Sequence, residues 1–167
     1  MKQTIGDFTV WLGSTALSNA LVDSPWIFPT AEIGHFIGLT MLFGFVAAID
    51  LRMLGFAKRV PLAALHRLLP WGAAGFALTA LTGCVFIIAA SEQYLPNGVF
   101  WYKMLFVALA GVNVLAFYLG GIYRRVDELG PGEDAPGSAK AIAAVSLVLW
   151  IGVIFWGRML AFLGIAF

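Results

Sequence analysis

Four long apolar segments, separated by short polar ones, dominate the pattern of this chain. Their approximate bounds are 29–54, 65–90, 99–123 and 141–163. A helix needs about 20 apolar residues to cross the hydrocarbon core of a bilayer, and each segment reaches that length. The pattern therefore predicts an all-α integral membrane protein, with an antiparallel four-helix bundle formed by residues 26–167.

The first 25 residues have a different pattern. Within them, residues 7–22 mix Trp11 and Leu17 with Ser14 and Asn19, and they are too polar and too short to span a membrane. We expect an N-terminal amphipathic helix lying at the membrane surface in residues 1–25, ended by the sequence Asp-Ser-Pro at 23–25. Because a signal-peptide pattern is absent, the first span is expected to direct its own insertion.

Composition supports the membrane class. Hydrophobic residues make up 61% of the 167 residues and charged residues 11%, against about 45–50% and about 25% in soluble domains. The net charge of +1 gives no broad positive field, so no nucleic-acid partner is expected. The single cysteine, Cys84, cannot form an intrachain disulfide.

Basic residues predict the topology. The loops after the first and third spans carry seven Lys and Arg residues, and the other side carries three, Lys2, Lys103 and Arg158. Since cytoplasmic loops are enriched in Lys and Arg, both loops are expected in the cytoplasm. A bacterial inner-membrane location with both termini in the periplasm follows.

Small and amide side chains predict how the spans pack. Gly34 and Gly38 form a Gly-x-x-x-Gly motif in the first span, and the second carries a seam of small residues. Such residues let helix backbones approach closely. Asn113, near the middle of the third span, is expected to form a hydrogen bond to another helix.

Ionisable residues recur at two depths, and such residues within spans usually serve function. The periplasmic layer contains Glu32, His35, Lys103, Met104, Arg158 and Met159. The cytoplasmic layer contains Asp50, Arg52, His66, Arg67 and Tyr118. The helical rise separates His35 from His66 by roughly 20 Å, so the two histidines are not expected to ligate one haem or one metal.

His35 is the first candidate for cofactor binding, as an axial ligand of haem b. Lys103 and Arg158 would pair with the haem propionates, and Met104 or Met159 would be a sixth ligand. The alternative is a buried histidine hydrogen-bonded across helices, with Glu32 as one partner. Glu32 and His35 form a single Glu-x-x-His spacing, which also allows a mononuclear copper or zinc site.

The remaining polar residues have simpler alternatives. His66 is either a solvated interfacial histidine or a ligand of a second haem, and Tyr118 is an interfacial tyrosine or a haem ligand. Lys103 and Arg158 can instead extend to the headgroups. Asp50 and Arg52 are expected to take part in ion pairs with Arg67 or Arg124. Signatures of the common enzyme classes are absent, so the sequence does not decide whether the protein is an enzyme.

A family resemblance rests on three runs of sequence: WIFPTAEIGHFIGLTMLFGFVAAIDLRMLG, VPLAALHRLLPWGAAGFALTALTG, and the Lys103 helix with GRMLAF. From about Trp26 onwards the chain resembles an uncharacterised family of bacterial four-span inner-membrane proteins. More distantly, it is similar to four-helix cytochrome b-type proteins and to the membrane domain of copper-resistance protein D-like proteins. Those relatives imply haem b, quinone or copper. Members of the closer family often place a histidine where Tyr118 stands, so His35 is the ligand position that carries over.

These observations lead to one functional expectation with two alternatives. We expect a membrane redox protein that binds haem b and exchanges electrons with quinone or a periplasmic partner. One alternative is a cofactor-free accessory subunit that packs into a homo-oligomer or a larger membrane complex. The other is a small copper-handling membrane protein.

Overall fold

The computed structural model describes residues 2–163, and these residues form nine helices and no strand. The helices are α1 (Lys2–Gly13), α2 (Ala16–Asp23), α3 (Ile27–Leu54), α4 (Leu62–His66), α5 (Leu69–Ala89), α6 (Ser91–Tyr94), α7 (Gly98–Leu119), α8 (Ile122–Asp127) and α9 (Gly137–Met159). The predicted all-α class is confirmed.

Four helical stretches are long and apolar enough to cross a membrane: Ile27–Leu54, Leu62–Ala89, Gly98–Leu119 and Gly137–Met159. Successive long helices are joined by short segments, so they run antiparallel. The chain is a multi-pass membrane protein. We call the end of the bundle with segments 55–68 and 120–136 the loop end, and the end with α1, α2 and α6 the terminal end.

The third span is shorter than predicted. It ends at Leu119, whereas the sequence pattern runs on to Tyr123. Gly120 and Gly121 interrupt the helix, and Gly121 adopts φ 69°, a left-handed conformation that glycine enters at little cost. The chain then turns into α8, which brings Tyr123 and Asp127 back over the loop end.

The predicted amphipathic surface helix is not confirmed. Residues 2–23 form two helices, in which Thr9 and Ser18 are buried against the protein. The Ser18 hydroxyl donates to the carbonyl of Ile88 on α5 (2.9 Å), and the Ser91 hydroxyl on α6 donates to the carbonyl of Thr9 on α1 (3.1 Å). Trp11 and Leu17 are exposed instead. These hydroxyl groups join the N-terminal helices to α5 and α6, which the pattern of a single helix does not reveal.

The close approach predicted from the small residues is confirmed between α3 and α5. A Cβ atom added to Gly38 would lie 2.7 Å from the Gly75 carbonyl oxygen and 2.9 Å from the Thr79 backbone nitrogen. Gly34 faces Thr82 in the same way, at 3.2 Å. This pair of helices therefore packs backbone against backbone.

The four long helices form an arc. In the arc, α3 packs against α5 on one side and α9 on the other, and α9 packs against α7. The predicted hydrogen bond of Asn113 is present, because its Nδ2 donates to the carbonyl of Ile142 on α9 (3.2 Å). Helices α5 and α7, at the two ends of the arc, have almost no direct contact. The bundle is open between them.

Candidate functional site

An apolar cleft occupies the gap between α5 and α7. It encloses a cavity of about 670 Å³. The floor comes from α3 (Leu42, Phe45, Val46), one wall from α5 (Leu69, Gly72, Ala73, Phe76), the other from α7 (Val107 to Tyr118), and Trp150 of α9 closes the back. Small-molecule sites have volumes of about 300–1,000 Å³, so the cleft is of ligand-binding size.

His35 lies at the terminal end of the bundle, between α3 and α5. Its Nδ1 atom is 2.9 Å from Oγ1 of Thr82. The Thr82 hydroxyl donates to the carbonyl of Leu78 (2.8 Å) and lies 3.1 Å from the carbonyl of Thr79. A hydroxyl has one hydrogen to donate. With that hydrogen on the Leu78 carbonyl, the threonine accepts from His35, so that Nδ1 carries the proton and Nε2 keeps a free lone pair.

Helical spacing places this histidine above the cleft. His35 and Leu42 are seven residues apart and therefore share one face of α3. The His35 ring also lies against α5, with Cε1 3.8 Å from a Cβ built on Gly83 and the ring centroid 5.2 Å from that of Phe86. The cleft thus has His35 above one end of its floor and Tyr118 at the other end.

Lys103 and Met104 extend the α7 wall toward His35. Each lies four residues before a residue that lines the cleft, Val107 and Ala108 respectively, and so shares its face. The Lys103 stem packs against α9, with Cε 3.7 Å from a Cβ built on Gly157. Within residues 2–163, Lys103 forms no salt bridge.

The other members of the predicted periplasmic layer do not face the cleft. Arg158 is exposed and lies over the Phe162 ring, 4.7 Å from its centroid. Met159 packs with an apolar cluster around Phe100. Glu32 is exposed. Burial, together with the negative charge of Glu32, raises the pKa of Tyr94 above its ordinary value.

Within residues 2–163, no cluster of three or more His, Cys, Asp or Glu side chains is arranged to hold a metal ion. The Glu32 side chain is exposed, whereas the His35 ring contacts Thr82 of α5. A two-residue metal site formed by Glu32 and His35 stays a prediction.

At the loop end, His66 forms a dyad with a carboxylate. Its Nδ1 atom is 2.9 Å from Oδ1 of Asp127, and its side chain is 6% exposed, against 41% for Asp127. Nε2 of His66 is buried and has no partner within the described chain. The expectation of a solvated His66 is wrong, because α8 folds back over it. Asp127 was not predicted as a partner of His66, since it lies in the polar segment after the third span, 61 residues further along the chain.

Two tyrosines connect this dyad to the cleft. The Tyr123 ring centroid is 5.0 Å from that of His66 and 5.1 Å from that of Tyr118. Tyr118 itself lines the cleft. A continuous row of rings therefore runs from the buried histidine to the loop end of the cleft.

The ion pairs expected for Asp50 and Arg52 do not form. Arg52 is 1% exposed and donates through Nε to the carbonyl of Val60 (2.7 Å) and through Nη2 to that of Glu133 (3.2 Å). The Asp50 carboxyl group faces the Ser146 hydroxyl on α9. Arg52 bonds to backbone carbonyls because both connecting loops fold over the end of α3, and it holds those loops together.

Comparisons of the chain with protein-family models, with curated proteins and with solved structures find no match. The resemblance to four-span and cytochrome b-type proteins therefore stays a prediction. The cleft and the two histidines are the features of the molecule that indicate a function.

Proposed function

We propose that this protein is a membrane redox protein that binds haem b through His35 and exchanges electrons with quinone. The observation that carries the proposal is the hydrogen bond from Nδ1 of His35 to Thr82. Histidines that ligate a metal usually donate their other ring N–H to a protein group, which fixes the tautomer and aims the free nitrogen. His35 is held in this state, with Nε2 available for iron.

The surroundings of His35 fit such a group. Haem b brings two propionates and an apolar macrocycle. Lys103 supplies a cation without a salt-bridge partner in the described chain, and Phe86 and Gly83 supply an apolar, open surface. Met104 is the proposed sixth ligand, since Met159 is engaged in packing. Because Arg158 stacks on Phe162, Lys103 is the residue that would pair with the haem propionates. Bound haem would supply one-electron chemistry.

The cleft supports quinone as the redox partner. A quinone combines a polar ring with a long apolar tail, and it diffuses within the bilayer. The cleft is apolar along its length, lies between two spans that do not close on each other, and has one hydroxyl group, Tyr118, at its loop end. An apolar tail would enter sideways from the lipid without crossing water.

The proposed location is the bacterial inner membrane, with both termini in the periplasm. The distribution of basic residues supports this orientation, because seven Lys and Arg residues lie at the loop end and cytoplasmic loops are enriched in them. The haem at the terminal end would then face a periplasmic electron donor or acceptor. This orientation can be measured with variants that each carry one cysteine at an exposed position of either end, made in a Cys84→Ser background. Labelling by a membrane-impermeant thiol reagent in intact cells reports which end faces the periplasm.

The first experiment is a reduced-minus-oxidised visible spectrum of the protein purified in mild detergent, with metal analysis of the same sample. We expect a Soret band, a sharp α-band and near-stoichiometric iron. His35→Ala should lose the haem, whereas His66→Ala, the control for removal of a buried imidazole, should keep it. Haem retained in His35→Ala contradicts the ligand assignment.

A second candidate is a cofactor-free accessory subunit of a larger membrane complex. The open side of the arc favours it, because α5 and α7 leave their facing apolar surfaces without a helix between them. This candidate predicts a flat visible spectrum, no bound metal and co-purification with a defined membrane protein. Copper in the metal analysis, without haem, would instead favour a copper-handling protein.

A further inference from the structure

We infer that His66 and Asp127 are the proton-transfer site of the cleft, exchanging protons between a quinone bound there and the water at the loop end. The inference rests on the proposed quinone function and adds a role for residues that the haem does not use. Reduction of a quinone to a quinol adds two electrons and two protons, one proton to each carbonyl oxygen, and oxidation reverses both. The two electrons would pass one at a time through the proposed haem b to or from the periplasmic partner, and the two protons would pass one at a time through His66 to or from water.

The first support is the state of the dyad. Asp127 accepts the Nδ1–H of His66 at 2.9 Å, which leaves Nε2 as the nitrogen that takes or gives a proton. Nε2 is buried and has no protein partner among residues 2–163. A buried polar atom without a partner is uncommon and costs roughly 1–3 kcal/mol, so Nε2 of His66 is open to a further partner. Asp50, Arg52 and Asn97 also carry such an atom, but none of them lies beside the tyrosines that lead to the cleft.

The second support is that the dyad lies between water and the cleft. The Asp127 carboxylate is partly exposed, whereas the His66 ring is buried. On the inner side, the rings of Tyr123 and Tyr118 lead to the cleft.

The third support is the charge around His66. From α8 it meets Asp127 and Tyr123, and α8 also carries Arg124 and Arg125. From α3, which packs against α4, the charged groups are Asp50 and Arg52. Asp127 is the one among them within salt-bridge distance. Its carboxylate is therefore the charged group that contacts the histidine.

The test compares wild type, His66→Gln and Asp127→Asn, purified with their haem and loaded with decylubiquinone. Three quantities are measured: the affinity for decylubiquinone, by quenching of tryptophan fluorescence; the rate at which added decylubiquinol reduces the oxidised haem, against pH; and the redox-induced infrared difference spectrum. Asp134→Asn is the matched control, because it removes another exposed loop-end carboxylate that does not contact His66.

We expect both dyad variants to bind decylubiquinone with unchanged Kd and to oxidise quinol about 10²-fold more slowly, the scale of a lost acid–base group. The histidine protonation bands of the wild-type infrared spectrum should vanish in His66→Gln, and its rate should lose its pH dependence. Asp134→Asn should keep the wild-type rate, pH profile and infrared bands.

Two outcomes overturn the inference, and they differ. If wild type binds haem and quinone but both dyad variants keep the wild-type rate, pH profile and infrared bands, proton transfer by His66 is wrong and the proposed function stands. If wild type binds neither haem nor decylubiquinone, the proposed function fails and the inference fails with it.

Discussion

The Nδ1 atom of His35 and the hydroxyl oxygen of Thr82 form a hydrogen bond between α3 and α5, at 2.9 Å. The threonine is itself fixed, since its hydroxyl donates to the carbonyl of Leu78 one turn earlier on α5. The ring orientation of His35 therefore depends on α5 as much as on α3, its own helix. This dependence can be measured.

Thr82→Val removes the acceptor while keeping the shape of the side chain. We expect a small loss of stability, about 0.6 kcal/mol for an average hydrogen bond between membrane helices. We also expect a lower haem content or a broadened Soret band, because the His35 ring is free to turn. Visible spectra and thermal unfolding in detergent measure the two effects.

Thr79→Val is the matched control for this substitution. The Thr79 hydroxyl donates to the carbonyl of Gly75 on its own helix, and it forms no side-chain bond to His35. An equal change of the Soret band in Thr79→Val and Thr82→Val would contradict the orienting role of Thr82.

Gly38→Ala should destabilise the fold strongly. The added methyl group would meet the Gly75 carbonyl oxygen at 2.7 Å, and backbone atoms cannot rotate away as a side chain does. Overpacking of this kind costs roughly 1–3 kcal/mol, so the melting temperature should fall. The control is Gly44→Ala on the same helix, where a Cβ meets nothing within 4 Å. A Gly38→Ala protein as stable as Gly44→Ala would show that α3 and α5 do not pack as described.

Structural features set within one helix or between neighbouring helices were predictable from the sequence, whereas those set by distant parts of the chain were not. The spans, the Gly38 contact and the hydrogen bond of Asn113 were predictable because hydropathy and small residues act within one helix or between neighbours. The dyad of His66 and Asp127 was not predictable, because it depends on where the chain turns after Gly121.

The same distinction between local and distant effects explains which parts of the candidate site were predictable. The sequence identified His35 and Lys103 as unusual, since charge within an apolar span is visible in the sequence. It did not place Arg158, whose side chain turns outward onto Phe162. Nor did it predict the cleft, which exists because α5 and α7 lie at opposite ends of an arc; a closed bundle with the same four spans would have no such opening.

Asp134 should make stability depend on pH. Hydrogen bonds from Lys140 (2.8 Å) and from Lys58 (3.3 Å) hold the pKa of this carboxyl group below its ordinary value of 3.8. A carboxylate with a lowered folded-state pKa stabilises the fold above its unfolded pKa, and the contribution disappears as the pH falls through the folded-state pKa. Asp134→Asn should therefore be less stable than wild type near neutral pH and equally stable in strong acid.

The pH comparison needs a salt control, because the Asp134 carboxylate and both lysines are partly exposed. Screening by ions weakens exposed pairs, so the difference between wild type and Asp134→Asn at neutral pH should shrink as salt is added. A difference that persists unchanged in acid would show that asparagine disturbs the loop itself, and the ion pairs would not be its cause.

Gly111→Leu should block the cleft without disturbing the fold. Gly111 lines the cleft, and a Cβ built on it meets nothing within 4 Å, so the new side chain enters the cavity without a clash. We expect the melting temperature to be kept and the affinity for decylubiquinone, measured by quenching of tryptophan fluorescence, to fall at least tenfold.

Gly44→Leu is the control for this substitution. It adds the same side chain at an equally open glycine outside the cleft, and it should bind decylubiquinone as wild type does. Since haem binding at His35 does not use this part of the cavity, the Soret band of Gly111→Leu should be unchanged. Quinone affinity equal in the two variants would place the quinone somewhere other than between α5 and α7.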